Sequence, residues 1–345
     1  MFVVSPNGLI SIARRHIKSL IPFITFRKFC NIIRASTEML LRKESCKSRP
    51  FMIKIDPCTA CNLRCVSCES HTTQTKRKRI MDLPDFKTII DKLSSSAIRA
   101  TLYDVGEPLL NKNIYQIIGY ASDNNISTLI STNFNLFDES KLDDLFNSRL
   151  TVLEPCMDGF TQDVYSRYRC AGDIDVVKHG IELVTQRKRE TKSKWPVVDV
   201  HIVLFEHVKP EVPQIEKFLL NCGVDGITYK QENLGFGDNA NDQSSVRPGT
   251  TAKGNMPCFW LYLGIVIRPD GCVYPCCGHG FDRFSYGNIF EQDLDQIWNN
   301  KFYRFSRKLF SKGPDVQYDR DFEGVPCLKC PAFKKQRTMC SPTTS

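Results

Sequence analysis

The sequence predicts an α/β fold, a parallel sheet covered by helices and wound into a full or partial barrel, followed by a small cysteine-rich segment. Three observations carry this expectation. Between residues 51 and 230, six apolar runs of strand length alternate with amphipathic stretches, and such alternation builds a parallel sheet with right-handed helical crossovers. The 345 residues suffice for one large domain and a small one. Sixteen cysteines are too many for packing alone, and seven of them fall within 258–340.

Residues 1–50 read as a basic helical arm. Ile10, Ala13, Ile17, Leu20 and Ile21 recur at helical spacing with Arg14, Arg15 and Lys18 between them, and a second helix is expected from about Phe26 to Leu41. The arm holds ten Lys/Arg against Glu38 and Glu44, nearly the whole of the chain's +9. The body is therefore close to neutral, which removes the compositional case for a nucleic-acid enzyme. Two uses fit the arm: packing on the body, the commoner outcome of such patterns, or peripheral contact with an anionic membrane. The N-terminus lacks the apolar core and cleavage site of a secretory signal. No apolar run reaches the ~18 residues of a membrane span. A cytoplasmic location is expected, and in a reducing cytosol clustered cysteines more often bind metal than pair.

The expected strands are 51–56, 98–104, 126–131, 150–154, 197–205 and 224–230, with helices near 83–95, 112–124, 138–147, 174–188 and 211–221. In such barrels chemistry sits at the C-terminal ends of the strands. Residues 231–257, rich in Gly, Asn, Asp and Ser, read as a linker. Beyond it, a strand pair is expected at 261–268 and 272–275, turning at Pro269-Asp270-Gly271.

The strongest motif follows the first strand: Cys61-Asn62-Leu63-Arg64-Cys65-Val66-Ser67-Cys68. Three thiolates can hold a 4Fe–4S cluster with one iron lacking a protein ligand. Cys58 could supply a fourth thiolate, so spacing alone also allows a closed zinc site.

This motif resembles the cluster loop of the radical S-adenosylmethionine (SAM) enzymes. The resemblance runs in order over residues 51–230 and implies a partial (β/α)6 barrel of the TIM type. It also implies that SAM chelates the open iron and is cleaved reductively to a 5′-deoxyadenosyl radical that abstracts hydrogen from substrate. Gly106-Glu107-Pro108 resembles the family's Gly-Gly-Glu-Pro, which meets the SAM amino group, with Val105 in place of the first Gly. Ser131-Thr132-Asn133 resembles the segment near the SAM ribose, and Asp158-Gly159, Tyr165 and Arg169 a third segment. The implied SAM contacts are Gly106, Glu107, Pro108, Ser131, Asn133 and Arg169, and the implied cluster ligands are Cys61, Cys65 and Cys68. Cys156 stands where a Ser is common in the family. His201 and His207 receive no role and are expected to be satisfied or surface histidines.

In the C-terminal segment the expected hairpin brings Cys258 and Cys276 together, and Cys327-Leu328-Lys329-Cys330 closes a four-cysteine site. Four thiolates suit zinc or a fully ligated cluster equally. The spacing resembles the SPASM domain of radical SAM enzymes or its shortened twitch form. Since only Cys340 remains after the CxxC, that resemblance implies one auxiliary 4Fe–4S cluster on Cys258, Cys276, Cys327 and Cys330, with Cys272 and Cys277 spare and Cys277 a rival to Cys276.

The expected function is SAM-dependent radical chemistry, oxidising a carbon centre of a sugar- or aminocyclitol-type intermediate. The alternatives are modification of a ribosomal peptide or protein side chain, and a non-catalytic metal-binding or electron-transfer role. Expected partners are a small-molecule or peptide substrate and an electron donor such as flavodoxin or ferredoxin, with no nucleic acid.

Overall fold

The computed structural model describes residues 15–66, 68, 79–231, 257–277, 284–313, 316–330 and 333. Strands β1 (Met52–Ile55), β2 (Arg99–Thr101), β3 (Ser127–Thr132), β4 (Val152–Pro155), β5 (Val197–Leu204) and β6 (Gly226–Gln231) lie side by side in sequence order. All neighbouring pairs among them are parallel. Between them run helices Leu83–Leu93, Ile114–Asp123, Leu142–Asn147, Ile174–Thr191 and Val212–Cys222. These are the six expected strands and the five expected helices. Side chains of Asp82 and Asp173 accept from backbone N–H groups at the starts of two of these helices, a cap worth about 1 kcal/mol each.

The C-terminal segment continues the same sheet. Strand β7 (Gly264–Ile267) lies parallel to β1 over four residue pairs, from Met52 opposite Gly264 to Ile55 opposite Ile267. Strands β8 (Cys272–Tyr274) and β9 (Gly287–Asn288) follow antiparallel. The order is β6-β5-β4-β3-β2-β1-β7-β8-β9, so among the described residues β6 and β9 are edges and the barrel is partial. The expected hairpin forms at Gly271, whose φ of +78° suits glycine. Its first arm is shorter than expected, because Trp260–Leu263 is a helical turn. Expected linker residues 232–256, the start of the arm before residue 15 and Cys340 lie outside the described residues.

Strand alternation explains what the sheet does with its two faces. Ile53, Ile55, Ala100, Ile130, Leu153, Val198, Val200 and Ile202 enter the main hydrophobic core with helical residues such as Phe86, Ile89, Ile117, Ile181 and Leu219. The alternate positions are polar and buried: Lys54, Arg99, Ser127, Glu154, Asp199, His201 and Thr228. Parallel strands covered on both faces normally read as continuous apolar runs; here Arg99, Ser127, Asp199 and Thr228 are bonded to the arm or to one another, which leaves Lys54, Glu154 and His201 as the polar residues to be explained.

The arm lies at the N-terminal ends of the strands. Arg15 and His16 approach Asp199 at 3.4 and 3.3 Å, Ser19 accepts from Arg99, and Lys28 Nζ donates to the Asn125 carbonyl at 2.6 Å. Among the described residues no helix is long and apolar enough to cross a membrane.

Candidate active site

The loop after β1 is tied to the ends of the neighbouring strands. Arg64 and Val66 donate their backbone N–H to the carbonyls of Cys170 and Tyr168 at 3.0 and 3.1 Å. Three donors reach its sulfurs: Leu63 N lies 3.4 Å from Cys61 Sγ, Asn133 Nδ2 3.7 Å from the same atom, and Arg169 Nη1 3.8 Å from Cys65 Sγ. Cys61, Cys65 and Cys68 are close enough to act on one another's ionisation. Burial pushes the Cys65 thiol up to about 12, against the pull of Arg169, and raises Cys61 as well. The ligand-free Cys61 and Cys65 thiols are thus protonated, and iron binding releases those protons. Cys58 is fully buried, and its thiol donates to the Ala60 carbonyl at 3.5 Å.

Gly106 and Glu107 explain how the second strand end meets this loop. A Cβ on Gly106 would fall 2.0 Å from the Cys58 carbonyl oxygen and 2.4 Å from that of Ala60, so only glycine permits the approach. Glu107 N donates to the Ala60 carbonyl at 2.8 Å. Its buried carboxylate accepts from Leu109 N at 3.0 Å, Thr132 Oγ1 at 2.6 Å and Asn133 N at 2.8 Å. Burial raises its pKa, opposed by those hydrogen bonds. Pro108 opens a 3-10 turn, Pro108–Leu110. Glu107 is therefore a clamp between the ends of β2 and β3.

Asn133 is buried, and its side chain reaches both Cys61 and Asn62, the latter at 2.9 Å. Ser131 Oγ lies 3.7 Å from Cys156 Sγ. Arg169 donates from Nε to Asp158 at 2.6 Å, and Asp158 accepts from Val203 N at 2.6 Å. Burial alone would lower the Arg169 pKa, but Asp158 and the nearby sulfurs hold it high. Tyr165 Oη accepts from Asn135 Nδ2 at 2.9 Å, which ties the segment after β4 to the end of β3.

Sequence reasoning missed a second polar set on the inner face. His201 Nδ1 lies 3.4 Å from Glu154 Oε2, and Tyr103 Oη donates to the same oxygen at 3.5 Å. Burial lifts Glu154 to about 6 and pushes His201 well below its usual value. Lys54 pairs with Asp104 at 2.5 Å, and Arg268, just past the C-terminal end of β7, reaches Asp104 at 2.5 Å and Asp56 at 3.0 Å. His201 is thus a buried interior residue, not a surface one. The available signal was a charged residue at an inward position of an otherwise apolar strand: Lys54 in MIKI, Glu154 in VLEP, His201 in VVDVHIVL.

In the C-terminal segment Cys258, Cys327 and Cys330 lie together. Burial pushes Cys258 up to about 12, and both other thiols add to the effect. The adjacent pair after β8 lies near different tyrosines. Cys276 acts on the buried Tyr303 hydroxyl together with Cys327, whereas Cys277 acts on Tyr103 inside the barrel. Arg307 supports this region. Its guanidinium lies 4.6 Å from the centroid of Trp298 and 5.3 Å from that of Tyr303, and its Nε donates to the Leu261 carbonyl at 2.8 Å.

Among the described residues no three His, Cys, Asp or Glu close on a point that would hold a single metal ion. The fit to an iron–sulfur cluster rests on the donor set: buried thiols in each of two groups, and, at the loop after β1, neutral or cationic donors aimed at sulfur, which favour the thiolate and tune a cluster.

Two family models match. One, the radical SAM superfamily, covers residues 55–219; the other, the iron–sulfur cluster-binding SPASM domain, covers residues 258–331. The chain belongs to the radical SAM superfamily and carries a C-terminal SPASM domain. Its cofactors are accordingly 4Fe–4S clusters and SAM. It is 25% identical over 268 residues to the SAM-dependent 2-deoxy-scyllo-inosamine dehydrogenase of Niallia circulans, covering 76% of this chain and 87% of that one. It is 23% identical to the cofactor-modifying protein of tungsten-containing aldehyde ferredoxin oxidoreductase from Pyrococcus furiosus, covering 72% and 80%. The fold is similar to that of Streptococcus suis SuiB bound to SAM, with a TM-score of 0.61, 14% identity and coverage of 84% and 73%.

Proposed function

We propose that this radical SAM enzyme oxidises a carbon centre of a small hydroxylated or aminated substrate, of the sugar or aminocyclitol kind, held inside the barrel. The observation that carries the reading is the inner face itself. Lys54 and Arg268 meet Asp104 there, Tyr103 donates to Glu154, and the buried Nδ1 of His201 has no hydrogen-bond partner among the described residues; a polyhydroxylated ring can use such donors and acceptors. The similarity to an enzyme named for 2-deoxy-scyllo-inosamine supports it.

The residues that would hold the catalytic cluster are Cys61, Cys65 and Cys68, with Cys58 spare. When bound there, the cluster and SAM supply a 5′-deoxyadenosyl radical that takes a hydrogen atom from substrate. Glu107 keeps the ends of β2 and β3 in register around the loop, and Asn133 and Arg169 hold its sulfurs. In this reading Gly106, Pro108 and Ser131 line the approach to SAM. Glu154, with a pKa of about 6, is poised to accept a proton from a substrate hydroxyl near neutral pH. Cys258, Cys276, Cys327 and Cys330 would hold the auxiliary cluster, and a flavodoxin- or ferredoxin-type protein would deliver electrons.

The test is anaerobic reconstitution with iron, sulfide, SAM and dithionite, followed by incubation with aminocyclitols and sugar phosphates. The reading expects 5′-deoxyadenosine, raised by one of these compounds, and an oxidised product two mass units lighter. Turnover with a peptide and with none of the small polyols would replace the substrate class. Absence of 5′-deoxyadenosine under every condition would leave a metal-binding or electron-transfer role.

A further inference from the structure

Helix Phe26–Leu40 carries a second apolar stripe on its outer face. Its polar residues face the body: Lys28 is buried on the Asn125 carbonyl, Asn31 exchanges hydrogen bonds with the Arg49 backbone at 2.9 and 3.0 Å, and buried Glu38 accepts from Lys47 N, Ser48 N and Ser48 Oγ. Ala35, Ile32 and Met39 pack inward beside them, but the largest apolar residues of the helix face outward. Phe26 is 83% exposed, Phe29 50%, Ile33 51% and Leu40 63%. At 100° per residue these four fall on one stripe. Of the twelve large apolar side chains exposed among the described residues, seven lie between 17 and 41. An ordinary surface helix carries a single, inward stripe.

Charge borders the stripe on one flank. A groove of about 730 Å³ runs beside the helix, lined by Phe26, Arg27, Cys30, Arg34, Lys47 and Arg49 among others. Arg49 is matched by Asp295. Glu38, the helix's own acid, is turned inward. The helix therefore offers an apolar ridge alongside a cationic trough.

We propose that this helix seats the enzyme on an anionic phospholipid surface, with Phe26, Phe29, Ile33 and Leu40 entering the acyl boundary and Arg27, Arg34 and Lys47 receiving lipid phosphates. The combination of apolar ridge and cationic flank is that of an interfacial helix. A second copy of the chain fits less well, because a two-fold contact would bring Arg27, Arg34 and Lys47 of each copy to a groove whose one acid among the described residues, Asp295, is already paired with Arg49. The helix reaches Asn125, just before β3, so it lies at the N-terminal ends of the strands. The enzyme would sit with its cluster loop facing away from the lipid.

Flotation of the full chain with phosphatidylcholine vesicles, with and without phosphatidylglycerol, tests this. Binding should require phosphatidylglycerol and fall with salt. Arg27→Gln with Arg34→Gln should weaken it about 30-fold, at about fivefold per basic residue near the surface. Phe26→Ser with Ile33→Ser, both at exposed positions, should weaken it strongly while leaving the salt slope unchanged. Both double variants should match the wild type in circular dichroism and iron content. Equal flotation with neutral vesicles, or binding untouched by either double variant, would overturn the proposal. So would a concentration-dependent dimer in sedimentation equilibrium that Phe26→Ser with Ile33→Ser abolishes, since the ridge would then belong to a second copy.

Discussion

Glu107 decides whether the Gly-Glu-Pro segment works through the fold or through direct contact with SAM. Its carboxylate accepts three hydrogen bonds, from Leu109 N, Thr132 Oγ1 and Asn133 N, and is buried. Glu107→Gln keeps the shape but turns one acceptor into a donor. Its amide oxygen can still serve Leu109 and Thr132, while its NH2 meets the Asn133 N–H. One charged hydrogen bond is lost and a buried donor is left without a partner, which costs about 1–3 kcal/mol. Burial already raises the Glu107 pKa, so removing the charge gives back part of this. Glu107→Ala strands all three donors and should cost about 3–6 kcal/mol. Anaerobic urea unfolding of the ligand-free protein, followed by circular dichroism, measures both. A clamp loses stability without SAM present, Ala more than Gln. If both variants unfold at the wild-type urea concentration while SAM binding is lost, Glu107 is a ligand contact and the clamp is wrong.

Three further outcomes follow from the same geometry. Gly106→Ala places a methyl 2.0 Å from the Cys58 carbonyl oxygen, and should cut iron retention on the loop after β1, measured by iron content and the visible absorption band. Glu154 has a folded pKa of about 6 against an ordinary 4.5, so ionising it in place costs about 2 kcal/mol above pH 6; Glu154→Gln should stabilise the ligand-free protein by about that much at pH 8, lose the gain as the pH falls through 6 to 4.5, and reduce turnover. Cys276 lies near Tyr303, as Cys327 does, whereas Cys277 lies near Tyr103; Cys276→Ser should therefore lower the iron content toward four per chain, and Cys277→Ser should leave it near eight.

Much of the fold was legible because strand and helix periods alternate cleanly: all six strands of the β/α units fall within two or three residues of their expected bounds. Two features were not. The pairing of β7 with β1 joins residues more than two hundred positions apart, and nothing in the local pattern of 264–267 distinguishes a separate hairpin from an added sheet strand. The inner-face set was hidden because Lys54, Glu154 and His201 are single polar residues in apolar strands, and only the register brings Glu154 to His201 and Lys54 to Asp104. The amphipathic pattern of 26–40 was visible, but its sign was not: the same periodicity fits a helix with its larger apolar stripe inward or outward, and the inward bonds of Lys28 and Glu38 decide.

The central claim is that the loop after β1 binds the cluster at which SAM is cleaved. Its most direct test is iron content and 5′-deoxyadenosine formation in the Cys61→Ala, Cys65→Ala, Cys68→Ala triple variant beside Cys58→Ala. The account predicts loss of about four irons and of all 5′-deoxyadenosine in the triple variant, since the cluster needs thiolate ligands, with Cys58→Ala close to wild type. A triple variant that keeps its full iron content and still cleaves SAM would contradict it.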